Sequence, residues 1–437
     1  MQDAALYGLQ AIASIGEGAG VNNGVCVFKK GVGHLLRDIN IDDLAWVLAG
    51  FRKNGFRGAC HGAYLATQIR QDGEVGFGLA DLSQSIFASL GIPGTTNKLS
   101  LSPSRRTCLL LIDGMGSASL AAYGAQFPIF SEVKSAIGLT SHFPSTTVTN
   151  LTSLGTGELP GVHGMLGYTV RVPNSGTPGR LLNPLKWDER VDPLFWQKVP
   201  TLFERASALG FSITNIAEKR YEGSAFTQAA LRGARYVGAN RRNEMVEEAA
   251  AALAEPNSFS YLYVNGLDHA GHNDGVGSEK WLLALAEVAE LIKALVAKLP
   301  KNTDFYVTAD HGMVNVGEKI VLGVDNDLMK NVTLVGGEPR ARHMYVAEGA
   351  LDETIALWRE FLGERATVFS KSEVISNNLF GEEVSTESVE RMGDFIAIAN
   401  NEVILIDPTR VPQETAMVGH HGGVTDSEVA IPLLKFL

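Results

Sequence analysis

The chain has 437 residues, 45% of them hydrophobic, and a formal net charge of −11. That length supports one large α/β domain with insertions, or two or three smaller domains, and the acidic balance argues against a protein that grips nucleic-acid backbones. Three cysteines, Cys26, Cys60 and Cys108, are too few and too scattered for a disulfide framework and suit a reducing compartment.

The N-terminal stretch MQDAALYGLQAIASIGEGAG has no Lys or Arg before Lys29 and carries Asp3. A secretory signal would want a basic start. No apolar run approaches the ~20 residues of a membrane span. The expectation is a cytoplasmic protein without a membrane segment. Residues 1–78 are Gly-rich, with GEGAGVNNG and KKGVGH, and read as an extension of unknown role. A helix is expected over Ile41–Arg52, where Asp42 and Asp43 occupy the first turn and Gly55 follows the end. No apolar strand precedes GEGAGVNNG, so its glycines do not make a dinucleotide fingerprint.

From Leu79 the texture changes. ADLSQSIFASLG reads as an amphipathic helix closed by Gly91 and Pro93. Strands are expected at Thr107–Ile112, Phe211–Ile216, Phe259–Val264, Asp304–Thr308 and Glu402–Ile406. Helices are expected at Pro200–Leu209, Asn243–Leu253, Lys280–Lys298 and Leu351–Leu362. This alternation predicts an α/β fold with a mainly parallel sheet flanked by helices on both faces. The stretch from about 323 to 401 breaks the rhythm. It holds more charge, a possible strand at His343–Val346 and a loop near Asn377–Glu383, and reads as an inserted small subdomain within a 79–437 domain.

Several strand ends carry possible metal ligands. LLLIDGMG puts Asp113 directly after an apolar run. YLYVNGLDHAGH puts Asp268 and His272 four apart, on one face of a helical turn. FYVTADHGM ends in Asp310 and His311, and VGHHGG offers His420 and His421. Ligands gather at the carboxyl ends of strands in open α/β sheets, and mixed His and Asp donors suit zinc-like ions. Each motif taken singly is also a turn or a cap. A further stretch, HFPSTTVTNLTSLGTGELPGVHG, crowds hydroxyls just after a proline. One of these could be a nucleophile, or the run could only cap a helix.

Together and in this order, the five motifs resemble the alkaline phosphatase superfamily, and within it the nucleotide pyrophosphatase/phosphodiesterase-like branch. The resemblance covers roughly Leu79 to Leu437. It implies an alkaline phosphatase-like fold and two divalent ions, usually zinc. Asp268, His272 and His421 would hold one ion; Asp113, Asp310 and His311 would hold the other, with the nucleophile as its further ligand. His421 is preferred to His420 because Gly422 directly follows it. The pattern F-P-x-x-T-x-x-N falls on Phe143, Pro144, Thr147 and Asn150, which makes Thr147 the nucleophile and Asn150 the donor to a phosphoryl oxygen. Ser145, Thr146 and Thr149 would cap and support the turn.

The chain departs from better-known members, which often follow the threonine with Phe-Pro-Asn; here Val148, Thr149 and Asn150 stand there. None of the cysteines begins the C/S-x-P-x-R motif of the sulfatase branch. The implied activity is hydrolysis of phosphodiesters or nucleotide pyrophosphates through a phosphothreonine, on a small-molecule substrate rather than a nucleic-acid polymer. Phosphonate hydrolysis and phosphomonoesterase activity are the alternatives within the superfamily. No Lys or Arg sits beside Thr147, the nearest downstream being Arg171, which leans towards diesters. Tyr168, Trp187, Tyr221 and Phe226 are candidate platforms for a base, or simply core and rim packing.

Overall fold

The computed structural model describes residues 19–22, 25–28 and 76–437. Contacts divide the chain between Glu74 and Val75. Before that division, Ala19–Asn22 and Val25–Phe28 pair as antiparallel strands; the helix expected over residues 41–52 lies outside the described residues.

The later unit is built on a seven-stranded sheet. Its strands are β1 (Arg106–Ile112), β2 (Ser135–Thr140), β3 (Ser212–Ala217), β4 (Arg235–Gly238), β5 (Ser258–Val264), β6 (Asp304–Thr308) and β7 (Ala430–Lys435). They lie in the order β2-β7-β6-β1-β5-β3-β4. The run β6-β1-β5-β3-β4 is parallel throughout, and β7 pairs antiparallel with both β6 and β2. The continuous apolar stretch of β1 follows from its central place: every residue from Thr107 to Ile112 is buried, as expected of a strand covered on both faces.

Helices α1 (Leu79–Ser89), α2 (Thr147–Thr156), α3 (Leu202–Ala208), α4 (Ala225–Ala230), α5 (Arg242–Ala252), α6 (Gly266–Asp274), α7 (Glu279–Lys298) and α8 (Leu351–Leu362) complete the frame. Phe87 of α1 and Phe203 of α3 meet Phe259 of β5, with ring centroids 5.1 and 5.6 Å apart. Burying each such ring contributes on the order of 1.5–3 kcal/mol. The start of α3 is fixed by a reciprocal cap: Thr201 Oγ1 accepts from the Glu204 N–H, and Glu204 accepts from the Thr201 N–H. The five expected strands and the four later helices all form, each within two residues of the expected ends.

One expected strand has a different place. Val403–Ile406 stands outside the main sheet and pairs in parallel with Glu318–Val321. Between these two segments lies a second, antiparallel sheet of four strands, ordered Val332–Glu338, Ala341–Val346, Phe395–Ala399 and Ala366–Ser370. Met344, Trp358, Val368 and Phe395 are among the residues of its own apolar core, which α8 helps to close.

The fold positions a site by bringing β6, β1 and β5 side by side. Asp310, Asp113 and Asp268 therefore emerge at one edge of three neighbouring parallel strands. Gly114 is required at this edge. Its φ is +76°, and a Cβ there would stand 3.1 Å from the Asp268 Cα.

Candidate active site

The hydroxyl-rich stretch forms the entry to α2. Thr147 is the first residue of the helix, and Thr146, at the N-cap, makes no side-chain cap bond. Thr147 is thus not the capping residue, and its side chain has turned elsewhere. Its Oγ1 lies 3.2 Å from His311 Nε2 and 3.4 and 3.5 Å from the two oxygens of Asp113. The first-turn N–H groups of a helix have no partner within it, so the helix presents a site for an anion beside this hydroxyl.

Three imidazoles face the same place, each held by a backbone carbonyl. His272 Nδ1 bonds the Gly419 carbonyl at 2.8 Å, His311 Nδ1 bonds Gly312 at 2.9 Å, and His421 Nδ1 bonds Ser145 at 2.9 Å. A carbonyl only accepts, so each Nδ1 carries a proton, and in the neutral ring, the form that binds a metal, each Nε2 has its lone pair turned inward. This is how second neighbours orient metal-ligating histidines. His272 Nε2 and His421 Nε2 lie 3.4 and 3.7 Å from Asp268 Oδ1; His311 Nε2 lies 3.2 Å from Asp113 Oδ1 and 3.6 Å from Asp310 Oδ2.

Donor atoms of Asp268, His272 and His421 all fall within 4.8 Å of one another, as do those of Asp113, Asp268 and His311. Asp268 therefore stands between the two groups, and Asp310 joins the second through His311. Asp268 Oδ1 and Asp310 Oδ2 are buried with no hydrogen-bond partner among the described residues. Orphaned carboxylate oxygens opposite three imidazole lone pairs are a poor arrangement alone and a good one around divalent cations with mixed N and O ligands.

The electrostatics carry the same signature. Burial, reinforced by the charge of Asp113, pushes the Asp310 carboxyl far above the usual carboxylate range, and burial likewise raises Asp268. Burial opposes charge on His311, but the carboxylates of Asp310, Asp113 and Asp268 outweigh it and lift the ring to about 10. His421 is driven well below its ordinary value, first by burial and then by His311 and His272.

His420 and Asn150 behave differently from their neighbours. His420 sends Nε2 to the Glu414 carbonyl at 3.2 Å rather than to Asp268. Of the two, His421 is the one whose Nε2 lies beside Asp268. Asn150 is the correction: its side chain is fully buried and consumed by the turn. Oδ1 accepts the His142 N–H at 2.8 Å, and Nδ2 donates to the carbonyls of His142, Pro144 and Thr146 at 3.1–3.3 Å. No amide proton is left for a phosphoryl oxygen; Asn150 clamps the loop that carries Thr147. Ser145 and Thr149 do support the turn, bonding the Gly423 and Met165 carbonyls.

A cavity of about 770 Å³ opens beside Thr147 and Asp113, and all four aromatic candidates, Tyr168, Trp187, Tyr221 and Phe226, line it. Arg220 also lines it, so the fold supplies a cation that the sequence near Thr147 lacks. It pairs with Glu218 at 2.9 Å and stacks over Tyr221. Sequence reasoning missed Tyr263, whose hydroxyl donates to Asp113 Oδ2. The alternate placing of Tyr261 and Tyr263 towards the end of β5 was the available signal. Glu338, a buried cavity residue whose Oε2 accepts the Tyr168 N–H, had no local signal at all.

Residues 107–424 match the family model described as type I phosphodiesterase / nucleotide pyrophosphatase. A search of curated proteins gave no match. Among solved structures, murine ectonucleotide pyrophosphatase / phosphodiesterase 5 superposes with a TM-score of 0.61 at 18% identity, covering 76% of this chain and 88% of that one. Phosphonoacetate hydrolase from Sinorhizobium meliloti 1021, in complex with phosphonoacetate, superposes with a TM-score of 0.58 at 18% identity, covering 76% and 91%. Both likenesses speak for the fold. Among the described residues no helix is long and apolar enough to cross a membrane.

Proposed function

The chain belongs to the type I phosphodiesterase / nucleotide pyrophosphatase family of the alkaline phosphatase superfamily and is a phosphoric ester hydrolase, and from that premise we propose that it cleaves small phosphodiesters or nucleotide pyrophosphates through a phosphothreonine on Thr147. The observation that carries this reading is the Thr147 hydroxyl, set at the uncapped start of α2 and 3.2–3.5 Å from His311 and Asp113.

Asp268, His272 and His421 would hold one divalent ion, and Asp113, Asp310 and His311 the other, zinc being the ion their donor set suits best. When bound, such ions supply Lewis acidity that favours the threonine alkoxide and offsets charge on the transferred group. The protein's own part is positional. The first turn of α2 receives the non-bridging oxygens, a role its backbone N–H groups take in place of Asn150. Thr147 Oγ1 attacks phosphorus in line, the new Oγ–P bond forms, and the bond to the leaving alcohol or phosphate breaks. Water then cleaves the Oγ–P bond in a second in-line displacement, which gives net retention at phosphorus. Tyr263 and the backbone partners of the three histidines hold the cluster fixed through both steps.

The sparse cysteines and acidic composition support a cytoplasmic protein acting on a small molecule. A second reading, phosphonate hydrolysis, uses the same cluster and is favoured by one feature, Arg220, which could face the carboxylate of a substrate such as phosphonoacetate. The test is a panel of bis(p-nitrophenyl) phosphate, p-nitrophenyl phosphate, a dinucleotide and phosphonoacetate, assayed with metal analysis. Near two zinc equivalents and preferred turnover of diesters are expected; Thr147→Ala retaining full diesterase turnover would overturn the mechanism.

A further inference from the structure

Away from the ligand cluster, the cavity has a second polar feature. Asn215 of β3 and Tyr261 of β5 are direct register partners on adjacent parallel strands. Partners in register point to the same face of a sheet, roughly 4.8 Å apart. Both line the cavity that reaches Thr147, and they are only 2% and 0% exposed. Asn215 Oδ1 and the Tyr261 hydroxyl have no hydrogen-bond partner among the described residues. Tyr236, the partner of Asn215 on its other side, does not serve them, since its hydroxyl donates to the Glu218 carbonyl. Two orphaned groups side by side are costly in a folded protein unless something fills them. Tyr221, Phe226 and Trp187 line the same cavity.

We propose that Asn215 and Tyr261 form a hydrogen-bonding floor that reads the edge of a planar heterocycle, the base of a nucleotide substrate whose phosphate lies at Thr147. Asn215 Oδ1 accepts an N–H from the ring, and the Tyr261 hydroxyl donates to a neighbouring ring nitrogen or carbonyl. A site built in this way discriminates strongly against a ligand that lacks the matching groups, because its own buried polar atoms are then left bare. This rests on the hydrolase reading above and adds to it the part of the substrate that is recognised.

The experiment uses zinc-loaded Thr147→Ala protein and calorimetric titration with AMP and with ribose 5-phosphate, which carries the phosphate and sugar but no base. AMP is expected to bind at least tenfold tighter. Adding Tyr261→Phe or Asn215→Leu is expected to shrink that gap to less than threefold. Tyr261→Phe removes a single oxygen, and without nucleotide it is expected to melt no lower than its parent. Equal binding of the two ligands, a gap that survives both substitutions, or a clear drop in the melting temperature with Tyr261→Phe each overturn the floor. These failures would leave hydrolysis of bis(p-nitrophenyl) phosphate by the unsubstituted enzyme intact; absence of that hydrolysis defeats the hydrolase reading itself.

Discussion

Asp310→Asn is expected to change stability in opposite directions with and without metal. Asp310 is fully buried, and Oδ1 accepts the N–H groups of Gly114 and His311 at 3.3 and 3.0 Å. Oδ2 has no hydrogen-bond partner among the described residues and lies 3.6 Å from His311 Nε2. Asparagine keeps the first oxygen and both of its bonds. Its amide replaces the bare oxygen, and with the Asp310 charge gone His311 loses the largest cause of its raised pKa, so the neutral ring can accept from that amide. In metal-free protein this replaces a carboxyl whose ionised form burial and the neighbouring Asp113 carboxylate both oppose, and should add about 1–3 kcal/mol of stability.

Unfolding entropy near 2.1 cal/mol/K per residue, over the roughly 360 residues from 76 to 437, turns this into a rise of about 1–4 °C. With zinc the sign reverses. Free metal at a thousandfold excess over Kd stabilises the native state by about 4 kcal/mol, near 5 °C here. Each tenfold loss of affinity in the variant removes about 1.4 kcal/mol of that gain. Calorimetric melts of both proteins, in chelator and in excess zinc, check this. A variant that melts lower than its parent in chelator would refute the reasoning, as would a parent that gains nothing from zinc.

The remaining predictions test other parts of the scaffold. Asn150→Ala should lower the melting temperature and the activity together, because a clamp is lost; a pure loss of activity at unchanged stability would restore the donor role. Gly155→Ala should destabilise by at least about 1–3 kcal/mol, since a Cβ there would stand 1.9 Å from the Ala230 carbonyl oxygen of α4; chemical denaturation measures it, and an unchanged midpoint contradicts the packing. His343 is buried, its Nε2 bonded to the Leu166 carbonyl and its Nδ1 accepting the Gly393 N–H, and burial chiefly lowers it from 6.5 to about 4. Its stabilisation is complete above pH 6.5 and is lost as pH falls towards 4, to a limit of roughly 3 kcal/mol. His343→Gln should flatten that part of the stability–pH curve, and an unaltered curve would remove His343 as the cause.

The candidate cluster showed in the sequence because the apolar runs of β1 and β6 give way within two residues to Asp113 and Asp310, while Asp268 showed through its four-residue spacing to His272 in α6. A carboxylate that ends a central parallel strand has little choice but to face the crevice beyond the sheet, where ligands bind. The edge strands β2 and β4 escaped notice for the converse reason: they are largely exposed or half-buried, and their residues carry no apolar signature. Arg220, Asn215, Tyr261 and Glu338 meet Thr147 across one cavity only through strand order and the neighbouring small sheet, which no local spacing encodes. His420 lies in the strand paired with Val314–Asn315 and His421 just past it, so the two rings take different sides of the backbone.

The crowding of hydroxyls between Ser145 and Thr156 is resolved by asking where each one points. Ser145 bonds the Gly423 carbonyl and receives the Gly422 N–H, which ties the loop to the segment carrying His421. Thr149 bonds the Met165 carbonyl, Thr152 and Thr156 bond carbonyls one turn back along α2, and Ser153 meets His163 Nε2 at 2.9 Å. These contacts serve to satisfy a buried polar helix, because every one of these residues is almost wholly removed from water. Thr147 differs in kind: its hydroxyl faces the carboxylate of Asp113 and Nε2 of His311, which already pair with each other at 3.2 Å and do not need it. A side chain at a helix start that turns to the carboxylate and imidazole of the candidate cluster supports the proposed role of Thr147 as the nucleophile.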